Sequence, residues 1–66
     1  MEFELVYGTF SGETLETYDS FPEVYKACLE LLKHNHYEYI KIYMIVDEED
    51  CEIIFEWSRT NELSTY

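Results

Sequence analysis

The sequence predicts a small α+β domain, ββαββ, in which a four-stranded, mostly antiparallel sheet carries one helix packed on one face. Three observations predict it: residues alternate between apolar and polar near both ends of the chain, apolar residues follow helical spacing between residues 21 and 32, and 66 residues suffice for one domain. We therefore predict a single acidic domain over residues 1–66. Residues 58–66 are mostly polar, and we expect them to form a frayed tail that Leu63 and Tyr66 could dock onto the domain.

The first two strands are predicted to form a hairpin. Residues 2–7 alternate in the manner of a strand that is buried on one face. Ser11 and Gly12 suit a tight turn, and residues 14–18 are rich in side chains that favour strands.

The helix has the clearest start signal in the chain. Ser20 and Glu23 match a capping box, and Pro22 occupies a first-turn position where a missing N–H costs nothing. The His-Asn-His sequence of residues 34–36 is predicted to end the helix. Its buried stripe is predicted from helical spacing to consist of Phe21, Val24, Ala27, Cys28, Leu31 and Leu32.

The second hairpin is predicted from alternation on either side of an acidic tip, which we define as Asp47, Glu48, Glu49 and Asp50. The side chains predicted to pack under the helix are Phe3, Leu5, Ile40, Ile42, Met44, Val46, Ile53, Phe55 and Trp57. The opposite side of the sheet, here called the open face, is then predicted to carry Glu2, Glu4, Val6, Glu16, Tyr18, Tyr39, Lys41, Tyr43, Ile45, Glu52, Ile54 and Glu56.

Composition narrows the class of protein. Fifteen acids against four Lys and Arg give a formal net charge of −11, which opposes direct binding to nucleic acid or to anionic membranes. A hydrophobic content of 47% excludes an intrinsically disordered chain. The longest apolar run, residues 42–46, is far shorter than the roughly 20 residues of a membrane-spanning helix. The first residues do not resemble a secretory signal, so we expect two reduced thiols in the cytoplasm, or in the host cytoplasm if a phage encodes the chain.

We predict no catalytic residue, no cofactor and no metal site, and hence no enzyme. Cys28, His34, His36 and Cys51 could supply four zinc ligands, but Cys28 lies on the apolar stripe of the helix, where an inert buried thiol is usual. The acidic tip lacks the loop length and glycine of an EF-hand, which favours a solvated turn. Carboxylates are so numerous in this chain that a neighbouring pair does not indicate acid–base catalysis.

The open face is the candidate partner-binding surface. Tyrosine and isoleucine side chains supply contact area there, and carboxylates surround them. The alternative is that the tyrosines only stabilise the sheet by pairing across strands. The predicted partner-binding residues are Glu2, Glu4, Tyr39, Tyr43, Ile45, Glu52, Ile54 and Glu56, with Asp47, Glu48, Glu49 and Asp50 of the acidic tip.

Carboxylate spacing suggests the kind of partner. Residues i and i+2 of a strand lie about 6.6–6.8 Å apart, close to the step of roughly 6–7 Å between phosphates of one DNA strand. Glu2 with Glu4, and less directly Glu52 with Glu56, are therefore candidates to imitate phosphates before a basic protein groove. Solubility alone is the competing explanation of the charge.

In size and charge the chain resembles the small acidic inhibitors that phages and mobile elements encode, among them anti-CRISPR proteins and other DNA mimics. This resemblance implies anti-defence inhibition of a nucleic-acid-binding protein and assigns no residue. Two alternatives stay open. One is a homodimeric interaction module that uses the open face or an edge strand. The other is a nucleic-acid binder that stacks bases on Tyr39 and Tyr43, where only Lys41 offsets the acids.

Overall fold

The structure, a computed structural model, describes residues 2–59 and confirms the predicted ββαββ order. The elements are β1 (Glu2–Thr9), β2 (Gly12–Tyr18), α1 (Phe21–His34), β3 (Tyr39–Ile45) and β4 (Cys51–Ser58). All neighbouring strands are antiparallel and their order is β2-β1-β3-β4, so the two hairpins lie side by side with β1 and β3 in the centre.

The helix begins and ends where the sequence predicts, but its start is capped differently. Ser20 is the N-cap residue in an extended conformation, and its carbonyl accepts the first helical hydrogen bond from the Val24 N–H at 3.2 Å. The Ser20 hydroxyl makes no capping hydrogen bond, so this half of the predicted capping box is wrong. Asn35 ends the helix in the left-handed conformation, with φ of 53°, and donates its N–H to the Leu32 carbonyl.

The hydrophobic core lies between α1 and the centre of the sheet. Its fully enclosed side chains are Leu5, Ile40, Ile42, Val24 and Cys28, and α1 packs over β2, β1 and β3. Both thiols are free; Cys51 is exposed, whereas burial raises the pKa of Cys28, as expected for an inert core thiol.

Three residues that were predicted to be buried are exposed. Phe21, the first residue of α1, is 45% exposed, because it lies at the end of the helix, beyond the buried residues Val24 and Cys28. Val46 follows the end of β3 and is 53% exposed, and Ile53 is 52% exposed on the other side of the sheet. The cause at Ile53 is a β-bulge: Ile42 pairs with Phe55 but the next residue, Tyr43, pairs with Ile53, so Ile54 is an extra residue in β4.

The bulge also corrects the prediction for Glu52. Upstream of Ile54 the alternation of β4 is inverted, so Ile53 lies beside Tyr43 on the open face. Glu52 pairs with Met44, whose side chain packs against the core, and therefore lies on the helix side. The predicted pairing of Glu52 and Glu56 on one face is wrong for the same reason.

The faces of β2 are likewise reversed from the prediction. Phe10 and Ser11 form the two-residue turn, one residue earlier than predicted, and Gly12 already pairs with Thr9. Every odd-numbered residue of β1 therefore pairs with an even-numbered residue of β2. Glu16 consequently lies opposite Leu5, and Tyr18 opposite Phe3, on the helix side of the sheet.

The predicted frayed tail starts too early. Ser58 is the last residue of β4, and the Arg59 N–H donates to the Glu38 carbonyl at 2.9 Å. The Arg59 guanidinium donates to the Tyr37 carbonyl at 3.0 Å and so joins the end of β4 to the segment that connects α1 with β3. Residues 60–66, including Leu63 and Tyr66, lie outside the described residues.

On the helix side, Glu16 accepts hydrogen bonds from two tyrosines. The Tyr7 hydroxyl donates to Oε2 at 3.1 Å and the Tyr18 hydroxyl donates to Oε1 at 2.8 Å. Burial, followed by the hydrogen bond to Glu16, raises the pKa of Tyr7 to about 12. Glu16 is thus an acceptor at the edge of the core.

We expect the Tyr7 hydroxyl to make the fold sensitive to alkali. The unfolded tyrosine ionises near pH 10, whereas folded Tyr7 keeps its proton to about pH 12. This stabilisation is therefore complete below about pH 10 and is lost between about pH 10 and 12, at a cost of roughly 2 kcal/mol. Urea unfolding at a series of pH values gives the free energy of unfolding of the wild type and of Tyr7→Phe. We expect this free energy to fall more steeply between about pH 10 and 12 in the wild type than in Tyr7→Phe. Equal pH dependence in both proteins would contradict it.

Candidate protein-binding surface

The open face is a layer of side chains on which no other element among residues 2–59 packs. Six predicted site residues lie on it: Glu2, Glu4, Tyr39, Tyr43, Ile45 and Glu56. Ile54, at the bulge, has no partner of its own in β3, and its side chain is exposed. Sequence reasoning assigned Ile53 to the core and did not assign Glu13, Leu15 or Thr17 to this face, yet strand pairing places all four on it.

Five apolar side chains cross the open face as a diagonal band, here called the apolar band. Leu15 of β2 lies beside Val6 of β1, and Tyr43 of β3 lies beside Ile53 of β4 one step further along the strands. Ile45 extends the band by one more step on β3. Val6 is buried within it, whereas Leu15 is 54% exposed. The band is thus an apolar surface in which Val6 is covered by its neighbours and Leu15 remains exposed to solvent.

Carboxylates border the apolar band. Glu2 and Glu4 of β1 lie along one side, Glu56 lies on the other side, and Glu13 lies at the Leu15 end. The acidic tip, between β3 and β4, adjoins the Ile45 end.

Charge is distributed unevenly between the two sides of the sheet. The open face and the acidic tip together hold eight acids and one base, Lys41. The helix side, which consists of α1 with Glu16 and Glu52 of the sheet, holds four acids and two lysines, namely Glu16, Glu23, Glu30, Glu52, Lys26 and Lys33. The negative electrostatic potential is therefore strongest in the solvent directly in front of the open face and the tip.

Lys41 is already engaged with groups of the protein. Its Nζ lies 3.7 Å from Oε2 of Glu56 and 5.9 Å from the centre of the Tyr39 ring. An exposed ion pair of this kind is weak, but it places the positive charge beside an acid of the same face. This arrangement disfavours base stacking on Tyr39 and Tyr43, because an approaching phosphate would meet a cation that is already paired with a carboxylate.

Tyr39 has a structural role that the sequence did not reveal. Its ring lies across Gly8 of β1, and its hydroxyl donates to Oε2 of Glu13 on β2. This hydrogen bond is the main cause that raises the pKa of Tyr39. A Cβ atom on Gly8 would lie 2.7 Å from the hydroxyl oxygen, so glycine is required for the ring to cross. Tyr39 therefore joins three strands, and Tyr43 is the better candidate for an aromatic contact with a partner.

The acidic tip is a hydrogen-bonded turn. The Val46 N–H donates to the Asp50 carbonyl at 2.9 Å, and Oδ1 of Asp47 accepts the Glu49 N–H at 2.8 Å. Beside it lies a shallow cleft of about 230 Å³ lined by Glu4, Ile45, Cys51 and the four tip residues. The tip is thus held next to the Ile45 end of the apolar band.

The described residues contain no arrangement that indicates metal chemistry. Within residues 2–59, no group of three or more His, Cys, Asp or Glu side chains is placed to hold a metal ion. Over the same range, no helix has the length and apolar character needed to cross a membrane.

Comparison with known proteins adds no further assignment. No protein-family model matches the chain, and neither a curated protein nor a solved structure matches it. Over residues 2–59, the fold and the surface together describe a small acidic α+β domain with one uncovered, partly apolar sheet face.

Proposed function

We propose that this chain is a non-enzymatic acidic inhibitor of the DNA-mimic type, which binds a basic nucleic-acid-binding protein through the open face and the acidic tip. The observation that carries the proposal is the uneven charge: the open face and the acidic tip hold eight acids and one paired lysine, whereas the helix side holds four acids and two lysines. Solubility needs net charge but does not require it to lie on one side of a sheet.

Two features adapt the surface to a site that normally takes phosphates. Glu2 and Glu4 lie on the same face of β1, at a spacing of about 6.8 Å that is close to that of successive phosphates. The apolar band supplies contact area that a nucleic-acid backbone lacks. Long-range attraction by the acids would speed the encounter, and burial of the band would slow dissociation.

The resemblance in size and charge to phage-encoded inhibitors favours a defence protein as the target and the host cytoplasm as the compartment. This part of the proposal rests on the profile of the whole chain and on no single residue.

A homodimer is the alternative function, and the exposure of Leu15 and Ile53 favours it. Like charge opposes it, because a second copy brings the same eight acids to the same surface. Size-exclusion chromatography with light scattering distinguishes the two: the inhibitor is expected to be a monomer on its own.

The inhibitor is tested by capture followed by displacement. The tagged chain is used to capture proteins from a nuclease-treated lysate of the cells in which it is encoded, and each captured protein is purified and loaded with labelled nucleic acid. We expect the chain to release the label. We expect Glu4→Gln with Glu48→Gln to slow association about tenfold at low salt and to flatten its salt dependence.

The matched control is Glu23→Gln with Glu30→Gln. It also removes two negative charges, but from the helix, and should leave association near the wild-type rate. Retention of the nucleic acid by a protein saturated with the chain would refute inhibition by displacement. Equal slowing by both double variants would show that net charge acts without the open face.

A further inference from the structure

We propose that the element of the partner that lies on the apolar band is an amphipathic basic helix. Its apolar stripe would cover the band, and its Lys and Arg side chains would face Glu2, Glu4 and the acidic tip. This inference rests on the proposed function and names the part of the partner that the surface recognises.

The dimensions of the band suit a short helix. The band spans three intervals between strands, about 14 Å, and two steps along them, about 14 Å. Its longest separations, from Leu15 to Ile53 and from Leu15 to Ile45, are therefore about 16–17 Å, which corresponds to about 11 residues of α-helix. A helix with its side chains is about 10–12 Å wide and so covers the band while its flanks remain near the bordering acids.

The charge pattern favours a helix over an extended segment. The strongest acidic border is the side formed by Glu2 and Glu4 and the end formed by the tip, because Lys41 partly offsets Glu56 on the other side. A helix presents an apolar stripe with cations along its flank, and so it meets the band and this border at once. A strand alternates its side chains between two faces and presents only one of these features to a surface.

The cleft beside the tip also combines apolar and acidic side chains. Ile45 and Cys51 line it together with Glu4 and the four tip acids. An arginine or lysine at one end of the partner helix would lay its aliphatic stem on Ile45 and its charge among the carboxylates. Charge and apolar contact thus coincide at the Ile45 end of the band.

The probe is a labelled peptide of about fourteen residues, LKKLLKLLKKLLKL, whose leucines form one helical stripe. Its control is a peptide of identical composition in which the leucines are spread around the helix. By fluorescence anisotropy at about 0.15 M salt, we expect the striped peptide to bind at least about tenfold more tightly. Amide chemical shifts should change at the band residues of all four strands.

Two variants, each replacing an exposed aliphatic side chain by serine, test where the peptide binds. Ile53→Ser acts in the band and Leu29→Ser acts on the exposed side of α1, where the side chains are 52% and 47% exposed respectively. We expect Ile53→Ser to weaken binding of the striped peptide about tenfold and Leu29→Ser to leave it unchanged. Leu15→Ser at the other end of the band should weaken binding too, and circular dichroism establishes that all three variants are folded.

Equal affinity for the two peptides, or equal effects of Ile53→Ser and Leu29→Ser, would overturn the helix inference. Either result leaves the proposed function open, because displacement of nucleic acid from a captured protein is measured without these peptides. Conversely, tight binding of the striped peptide without displacement would retain this docking surface and reject the inhibitor.

Discussion

Replacement of Ile42 by alanine is expected to remove most of the free energy of unfolding at 25 °C. Ile42 is fully buried at the centre of the sheet, with Leu5 of β1 on one side and Phe55 of β4 on the other. Removal of a large aliphatic side chain from such a site costs about 2–5 kcal/mol. A domain of this size without disulfides holds roughly 3–5 kcal/mol in total, so little stability would remain.

The matched control is Ile53→Ala, the same substitution on the adjacent strand. Because the bulge places Ile53 on the open face at 52% exposure, we expect its loss to cost less than about 1 kcal/mol. Urea unfolding followed by circular dichroism compares the two free energies of unfolding. Similar losses for Ile42→Ala and Ile53→Ala would mean that Ile53 is a core residue and that β4 has no bulge.

The second large effect is expected from Gly8→Ala, with a loss of roughly 2–3 kcal/mol. A Cβ at this position would lie 2.6 Å from the Gly12 carbonyl oxygen and 2.7 Å from the Tyr39 hydroxyl oxygen. The Gly12 oxygen belongs to the backbone and moves only if the first hairpin shifts, which places the cost in the upper range for overpacking. The Tyr39 ring would also be pushed off β1, and its hydrogen bond to Glu13 would break.

Gly12→Ala provides the control, since a Cβ at Gly12 meets no atom within 4 Å. Thermal melts of both variants measure the difference in stability, and the pKa of Tyr39 reports the hydrogen bond. We expect this pKa, raised in the wild type by the bond to Glu13, to fall toward its ordinary value in Gly8→Ala. A Gly8→Ala protein with wild-type stability would contradict the close crossing of Tyr39 over β1.

Local signals in the sequence were sufficient to predict the strands, the helix and most of the core residues. Alternation and helical spacing act over a few residues, so they predicted both hairpins, the bounds of α1 and the burial of Leu5 and Ile42. The sequence also contained two signals that alternation alone did not use. A two-residue turn fixes the parity of pairing, which places Leu15 on the open face, and the run Ile53-Ile54-Phe55 interrupts the alternation where the bulge occurs.

The sequence by itself therefore determined the element order and the excess of acids, since both follow from residue types and their local spacing. Only the tertiary structure decided the side of the sheet that Glu52 and Ile53 take. A bulge is a property of two paired strands, and one extra residue in β4 moved Glu52 to the helix side and Ile53 to the open face. The crossing of Tyr39 over Gly8 to Glu13 likewise depends on three strands that meet only in the folded chain.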